Sequence, residues 1–355
     1  MSKKALVVGW FSFEQCNVTA GDLMAKDVAC EWLEQAGYSY DVALLPPFSE
    51  GIDFWQADPK NYSHAVFVCG PFPYIDYSKQ FIEKFKDCCL IGLDLSMIEP
   101  LGVWNPFDVL LERDSHFNTR PDISFAAHQK KVPIVGVILA EPQAEYRQRA
   151  KHQIANDAID RLTKSRQCIV VPIDTRLDPN TTNLHTAAEI ESMIARMDLV
   201  ITTRLHGMVL SLKNEVPVVA IDAISGGAKV TRQAETIGWN IVFSVTNLND
   251  EKLQQAFDYC LSEDGRRKAG ECRTHALASV NKIREEFIAA MSCVDPRAKR
   301  IYLKEQLESM DSGFSPSYPS YHPIRAYWKL KSMIRSSLFL TGNWLVEVSH
   351  YDPYK

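Results

Sequence analysis

The sequence contains nine cysteines but no Cys-x-x-Cys pair and no other cysteine spacing typical of zinc sites. An odd number of thiols without paired spacing argues against a disulfide scaffold and favours a reducing cytoplasm as the location of the protein. Carboxylates, histidines and cysteines nowhere cluster at metal-ligand spacing. No residue pattern therefore argues for a bound metal, although metal dependence stays open on sequence grounds, and no cofactor is expected.

Long hydrophobic runs and an excess of basic residues are missing as well. No segment approaches the ~18 uncharged apolar residues of a membrane-spanning helix, and the apolar run after Lys4 is too short for the core of a signal peptide. Lys and Arg total 39 against 44 Asp and Glu, and the net charge of -5 gives no global attraction for nucleic acid. Any anion-binding site must therefore be local.

The 355 residues have an ordinary globular composition, with 46% hydrophobic and 23% charged residues. At roughly 150 residues per domain, this length predicts two domains. Apolar runs that suit buried strands alternate with helical segments in both halves, which predicts an α/β fold with two Rossmann-like domains. We place an N-terminal α/β domain at 1–130, a C-terminal α/β domain at 131–296 and a tail at 297–355.

The individual elements follow from the same patterns. Strands are predicted at 5–9, 40–45, 64–69, 89–93, 133–139, 168–173, 199–202, 216–221 and 243–245. Helices are predicted at 23–36, 81–86, 144–165, 186–196, 206–213, 249–262 and 266–291. Gly70 and Pro71 are expected to close the third strand.

A dense group of chemistry-bearing residues lies between positions 197 and 230. Arg204 and His206 follow a buried strand where a helix begins, and open α/β sheets bind ligands at the carboxyl ends of their strands. The backbone N–H groups of such a helix start add partial positive charge. A histidine in this place can transfer a proton near neutral pH.

The next strand is expected to end at the same edge of the sheet. It closes at Asp222, after which Gly226 and Gly227 permit a tight, nest-like turn and Lys229 adds a second cation. The planar fork of Arg204 and the compact charge of Lys229 together suit a small dianionic ligand. These strand ends therefore predict an anion site.

These residues resemble the signature of the polysaccharide pyruvyl transferase family. The resemblance consists of Arg204-Leu205-His206-Gly207 after a hydrophobic strand, followed by an apolar helix, a second strand and Lys229. Two weaker features are similar to other parts of the family pattern, namely the pairs Gly21-Asp22 and Pro121-Asp122. Where the family has a compact Gly-Asn-x-Gly-Asp loop, this chain keeps Asn17 and the Gly-Asp pair but changes their spacing.

The resemblance implies a fold similar to the glycosyltransferase-B architecture. It also implies transfer of a pyruvyl group from phosphoenolpyruvate, as donor substrate, to a sugar of a glycan or polysaccharide precursor, with formation of a pyruvate ketal. By motif position, His206 is the expected general acid, and Arg204 and Lys229 hold the donor's carboxylate and phosphate. Gly207, Gly226 and Gly227 are expected in the same donor site, with Asp222 as a further contact.

Asp22 is the expected catalytic residue on the acceptor side, in the N-terminal domain. At the first strand-to-helix turn it can orient an acceptor hydroxyl or act as a base, with Asn17 and Gly21 as further contacts. Alternatively, its carboxylate caps the first helix. The C-terminal domain then carries the donor side, where Arg147 and Arg149 are assigned to a solvated helix face.

Two other functions stay open on sequence grounds. A nucleotide-sugar glycosyltransferase of the same architecture would use Arg204 and Lys229 for a diphosphate, and a catalytically silent glycan-binding scaffold would keep the fold alone. The basic aromatic segment 322–338, after a linker at 311–323, is expected to pack back on the N-terminal domain. The alternatives are a partner-binding arm or peripheral contact at the inner face of a membrane, which would suit a lipid-linked acceptor.

Overall fold

The computed structural model describes residues 3–14, 17–48, 50–142 and 144–292. The predicted tail at 297–355, with its linker and its basic segment, lies outside the described residues. Within the described ranges, no helix is both long enough and apolar enough to cross a membrane.

The first sheet is parallel, and its strands alternate with helices along the chain. The strands are β1 (Lys4–Val8), β2 (Ser39–Val42), β3 (His64–Phe72), β4 (Cys89–Met97) and β5 (Val109–Leu111), with the helices α1 (Ala20–Gln35) and α2 (Asp76–Lys84). Their order is β2-β1-β3-β4-β5. Leu6 and Val8 pack into one apolar cluster and Val7 into another, so β1 is covered on both faces, as its continuous apolar run predicts.

The second sheet repeats this alternation. Its strands are β6 (Ile134–Ile138), β7 (Ile169–Pro172), β8 (Leu199–Thr202), β9 (Val218–Asp222) and β10 (Val242–Ser244), in the order β10-β9-β8-β6-β7. The helices of this part are α3 (His152–Lys164), α4 (Ala187–Ile194), α5 (Leu205–Lys213), α6 (Lys229–Ile237), α7 (Asp250–Leu261) and α8 (Glu263–Ser292). The two sheets and their helices confirm the predicted α/β class with two Rossmann-like parts.

The described chain divides into two compact units. The first contains the residues up to 137 together with 157–174 and 196–201, and the second contains 138–156, 175–195 and the residues from 202 onward. The first sheet lies wholly in the first unit, whereas β7 falls in the first unit and β9 and β10 in the second. The predicted domain boundary near residue 130 stays a prediction.

The structure corrects the predicted end of β3. This strand continues through Gly70 and Pro71 to Phe72, where it still pairs with β4. Cys69 and Gly70 adopt left-handed φ angles of 63° and 82°, so the chain bends locally without leaving the sheet. The predicted end at Gly70 and Pro71 is wrong because the chain bends here and stays paired with β4.

The predicted helix at 144–165 is also wrong at its start. A 3-10 turn at Ala144–Arg149 precedes α3, and the two are separated by Ala150 and Lys151. Ala150 pairs with Ile224 in an isolated bridge, and Lys151 N–H donates to a carbonyl of the same loop. The segment before α3 is therefore held by the loop after β9 and cannot continue the helix.

The packing of α5 on β8 fixes the position of the Arg-Leu-His-Gly motif. The Thr202 hydroxyl donates to the carbonyl of Ile138 at 2.8 Å and accepts from the N–H of Arg204 at 3.0 Å. Gly207 is buried against this threonine, and a Cβ at position 207 would overlap the Thr202 hydroxyl. The glycine of the motif thus permits close contact between helix and strand.

The substitution Gly207→Ala should lower the free energy of unfolding by about 1–3 kcal/mol, because the added methyl group has no room beside the buried Thr202. The control is Gly102→Ala, since a Cβ at position 102 meets no atom within 4 Å. Urea unfolding followed by circular dichroism measures both variants. Equal stability of the two would contradict the tight contact.

Candidate functional site

A cavity of about 410 Å³ opens at the carboxyl ends of β6, β8 and β9, and its lining residues belong to the second unit. Its wall brings together three residues of the predicted donor site, Arg204, His206 and Lys229. It also contains His152 and Arg176, which no sequence motif indicated. The other lining residues are Ala140, Glu141, Pro142, Thr203, Leu205, Asp222, Ala223, Ile224 and Val230.

Arg204 is the N-cap residue of α5, and its side chain makes no capping hydrogen bond. Its Nε is buried and has no hydrogen-bond partner among the described residues. The first N–H groups of a helix lack intrahelical acceptors and carry partial positive charge. An open helix start and an unpartnered guanidinium nitrogen therefore lie together at the cavity, and both suit an anion.

His206 and Lys229 lie in the first turns of the two helices that face the cavity. His206 belongs to α5 and Lys229 is the first residue of α6, and both side chains are exposed. Both residues line the cavity. The arrangement puts an imidazole and an ammonium group in the same wall as the guanidinium of Arg204.

The carboxylate of Asp222 stabilises the loop of this site and is not free to contact a ligand. It is 1% exposed, and its Oδ2 accepts from Ala228 N–H at 2.7 Å and from the Thr231 N–H and hydroxyl at 3.1 and 2.9 Å. Its Oδ1 accepts from Ile224 N–H at 3.1 Å. The carboxylate thus caps α6 and closes the loop before it, which leaves α5 as the open helix start of the pair.

Gly226 and Gly227 shape the loop that carries Lys229, and neither lines the cavity. Both have left-handed φ angles, of 80° and 74°, which glycine adopts without strain. Arg149 Nε and Nη2 donate to the carbonyls of Ser225 and Gly227 at 3.0 and 3.1 Å. Arg149 is exposed, in agreement with its predicted solvated position, and its guanidinium also holds this loop.

Arg176 adds a further cation at the end of β7. Its Nη1 donates to Glu141 Oε2 at 2.7 Å, and both residues line the cavity. Arg176 follows β7 much as Arg204 follows β8, so the rule that placed Arg204 at a strand end could have identified it. With the Asp222 carboxylate turned into the loop, the wall presents more positive than negative charge.

A second cavity, of about 790 Å³, lies in the first unit. It contains the predicted acceptor-side residues Asn17, Gly21 and Asp22. The remaining lining residues are Trp10, Glu14, Thr19, Cys69, Gly70, Pro71, Pro73, Ile75, Tyr77, Arg113 and Asp122. Aromatic and apolar side chains here alternate with carboxylates, a composition that suits a hydroxyl-rich ligand.

Asp22 takes part in the helix cap that the sequence offered as its alternative role. Its Oδ2 accepts from the Thr19 N–H at 2.8 Å and from the Thr19 hydroxyl at 2.7 Å, while the Thr19 side chain caps α1 in return. The same carboxylate lines the first-unit cavity. Capping and ligand contact are therefore both open to Asp22.

Beside Asp22 lies an acidic group that no sequence motif indicated. Cys69, Asp94 and Asp122 have ligand atoms within 4.8 Å of one another, close enough to share a metal ion. However, Arg113 Nη1 donates to Asp122 at 2.8 Å and lies 3.9 Å from Cys69 Sγ. Because this guanidinium already supplies positive charge inside the group, we assign no metal to it.

Asp94 is the most deeply buried member of this group. It is 2% exposed, Oδ1 accepts from Ile123 N–H at 3.2 Å, and Oδ2 has no hydrogen-bond partner among the described residues. Burial, and next the carboxylate of Asp122, raises the pKa of Asp94 to about 6. The same two causes, burial and nearby carboxylates, raise the pKa of the Cys69 thiol to about 12.

The raised pKa of Asp94 predicts a pH-dependent gain from Asp94→Asn. A carboxyl group whose pKa is higher in the folded than in the unfolded state destabilises the folded protein increasingly as the pH rises from about 4 to about 6. At pH 8 the free energy of unfolding of Asp94→Asn should therefore exceed that of the wild-type protein by about 1–3 kcal/mol. At pH 4 the two proteins should differ little. Urea unfolding at both pH values measures this, with exposed Asp87→Asn as the control; a variant less stable at pH 8 would contradict it.

One known protein family matches part of this chain. The model of the family described as polysaccharide pyruvyl transferase matches residues 108–223, which include Arg204, His206 and Gly207. The resemblance predicted from the motif is thereby confirmed over these residues. No curated protein matches the chain.

Three solved structures that are similar to this chain are distant from it in sequence. The spinosyn rhamnosyltransferase SpnG is 11% identical over 78% of this chain and 96% of its own, with a TM-score of 0.29. The UDP-GlcNAc 2-epimerase from Methanocaldococcus jannaschii is 9% identical over 79% and 99%, with a TM-score of 0.29. MurG from Acinetobacter baumannii is 10% identical over 77% and 95%, with a TM-score of 0.26.

Proposed function

We propose that this protein transfers a pyruvyl group from phosphoenolpyruvate to a sugar of a glycan or polysaccharide precursor and forms a pyruvate ketal. The observation that carries the proposal is the open start of α5, where the buried Nε of Arg204 has no partner among the described residues. This start lies in the segment that matches the family model. Phosphoenolpyruvate carries a carboxylate and a phosphate, and the wall around Arg204 offers Arg176 and Lys229 as well.

The reaction needs an acid that protonates a carbon atom and cations that stabilise the leaving phosphate. Protonation of the methylene carbon produces a cationic centre at C2, which one sugar hydroxyl attacks. Phosphate then leaves, and a second hydroxyl closes the ketal. The carbon gains one proton and the two hydroxyls lose two, so that one proton departs with inorganic phosphate and the charges balance.

His206 is the proposed general acid, because its exposed imidazole lies in the first turn of α5 beside the anion-binding groups. Arg204 and Lys229 would bind the carboxylate and the phosphate of the pyruvyl donor and stabilise the charge that develops as phosphate leaves. Asp222 and Arg149 would act indirectly, by holding the loop that presents Lys229. The energy of the enol phosphate drives the transfer, so no separate cofactor is required.

The acceptor sugar is proposed to bind in the first-unit cavity. Trp10 and Tyr77 offer apolar ring surface to the C–H faces of a sugar, and Asp22 and Asp122 offer acceptors for its hydroxyls. A carboxylate that accepts a hydroxyl proton also increases the nucleophilicity of that oxygen. Asp22 is the proposed residue for this step, because it faces the cavity from the first turn of α1.

The donor site is tested by separating binding from turnover. Arg204→Ala should weaken phosphoenolpyruvate binding about 10- to 100-fold in calorimetry, because charged hydrogen bonds to the anion are lost. His206→Ala should keep most of the binding but lower turnover at least about 10²-fold. Exposed Arg232→Ala and His185→Ala are the matched controls.

Titrations of the wild-type protein with UDP and GDP accompany this experiment. Binding of a nucleotide in place of phosphoenolpyruvate would support a nucleotide-sugar glycosyltransferase and contradict the proposal. Binding of none of the three would favour a glycan-binding scaffold.

The acceptor role of Asp22 is tested against its role as a helix cap. Asp22→Asn should reduce turnover at least about 10²-fold if the carboxylate activates a hydroxyl. Thr19→Ala removes the partner residue of the same cap and should cost about 1 kcal/mol of stability without this loss of turnover. Equal turnover in the two variants would restrict Asp22 to capping.

A further inference from the structure

His152 is a buried histidine in the wall of the second-unit cavity. It is the first residue of α3 and is 6% exposed. A smaller cavity of about 320 Å³ adjoins it on the side of α3, and His152 and Pro142 line both spaces. His152 therefore borders two cavities.

Two polar atoms on this part of α3 have no hydrogen-bond partner among the described residues. One is Nδ1 of His152, and the other is Oδ1 of Asn156, one helical turn further along. Buried polar groups in folded proteins are nearly always hydrogen-bonded, and exceptions mark functional positions or a bound ligand. An unpartnered imidazole nitrogen in a cavity wall therefore indicates a ligand contact.

Burial favours the neutral form of the His152 imidazole. Burial lowers the pKa of His152, and the Asp222 carboxylate opposes this shift only in part. The same wall presents the cations Arg176, Arg204 and Lys229 together with His206, and Lys151 precedes the histidine in the chain. Glu141 is the other carboxylate of the wall.

An entering dianion changes this balance. It places negative charge beside the imidazole and compensates the nearby cations, and both effects favour the protonated form. A neutral imidazole can thus donate one hydrogen bond at first contact and add a charged one after protonation.

We propose that His152 is a second anion-binding histidine of this cavity and that it takes up a proton from solvent as a dianion enters. The proton returns to solvent when the anion leaves, so the step balances without another reactant. The inference rests on the proposed function only for the identity of the natural anion, phosphoenolpyruvate. In the transfer reaction His152 would bind the pyruvyl donor, whereas His206 protonates it.

The test measures protons rather than activity alone. Sulfate is the probe because it is a dianion that does not titrate near neutral pH, so any proton taken up belongs to the protein. Calorimetry at pH 7 in two buffers with different ionisation enthalpies gives the number of protons bound per sulfate. We expect uptake of up to about one proton by the wild-type protein.

Variants assign this proton to its residue. His152→Gln should abolish most of the uptake and weaken sulfate binding about tenfold, as expected for one charged hydrogen bond. His206→Gln should retain most of the uptake, and the exposed His185→Gln should change nothing. Histidine ¹⁵N spectra should show one imidazole that becomes protonated on addition of sulfate and is missing from His152→Gln.

The possible results separate this inference from the proposed function. The inference is overturned if the wild-type protein binds sulfate but takes up no proton. It is also overturned if His152→Gln takes up as many protons as the wild-type protein. If His152→Gln binds phosphoenolpyruvate as tightly as the wild-type protein does, the inference is overturned but the proposed function is not. Proton-linked sulfate binding without phosphoenolpyruvate binding supports the inference and overturns the proposed function, and failure to bind either anion overturns both.

Discussion

The carboxylate of Asp222 organises the loop between β9 and α6, and the second-unit cavity depends on this interaction. A buried charge is stable only when its hydrogen-bonding capacity is filled, and the protein fills it with backbone and side-chain donors from Ile224 to Thr231. These hydrogen bonds fix the two glycines at left-handed angles and determine where Lys229 begins the helix. The guanidinium of Arg149 holds the same loop from outside.

This arrangement assigns different roles to two neighbouring helix starts. Both α5 and α6 begin at the cavity and both direct the positive ends of their dipoles toward it. At α6 the protein supplies the anion itself, through Asp222, so this terminus is part of the scaffold. At α5 the N-cap residue is an arginine, which cannot accept the N–H groups, and the terminus stays available to an external anion. The pattern predicts one anion site rather than two.

Much of the donor cavity could be predicted from the sequence, because strand ends and helix starts are local features. Arg204, His206 and Lys229 each follow a clear apolar run, and the structure brings them into one wall. The rule that ligands bind at strand ends applies equally to Arg176, which follows β7 and lines the same cavity.

Other features depend on tertiary contacts that have no local signal. His152 begins a helix whose predicted start lay at residue 144, because the pairing of Ala150 with Ile224 is not visible in the sequence. Asp94 directly follows the predicted strand 89–93, and only the fold brings it close to Cys69 and Asp122.

The two cavities differ in charge, and this difference bears on which substrate each can hold. The second-unit cavity presents Arg176, Arg204 and Lys229, whereas the first-unit cavity presents Glu14, Asp22 and Asp122 around a single arginine. The anionic donor of the proposed reaction would be attracted by the first set of charges and repelled by the second. A neutral sugar would experience neither effect, and its hydroxyls and ring contacts alone would select it. Charge would therefore distinguish the two proposed substrates, while the fold provides each cavity with the same kind of strand-end scaffold.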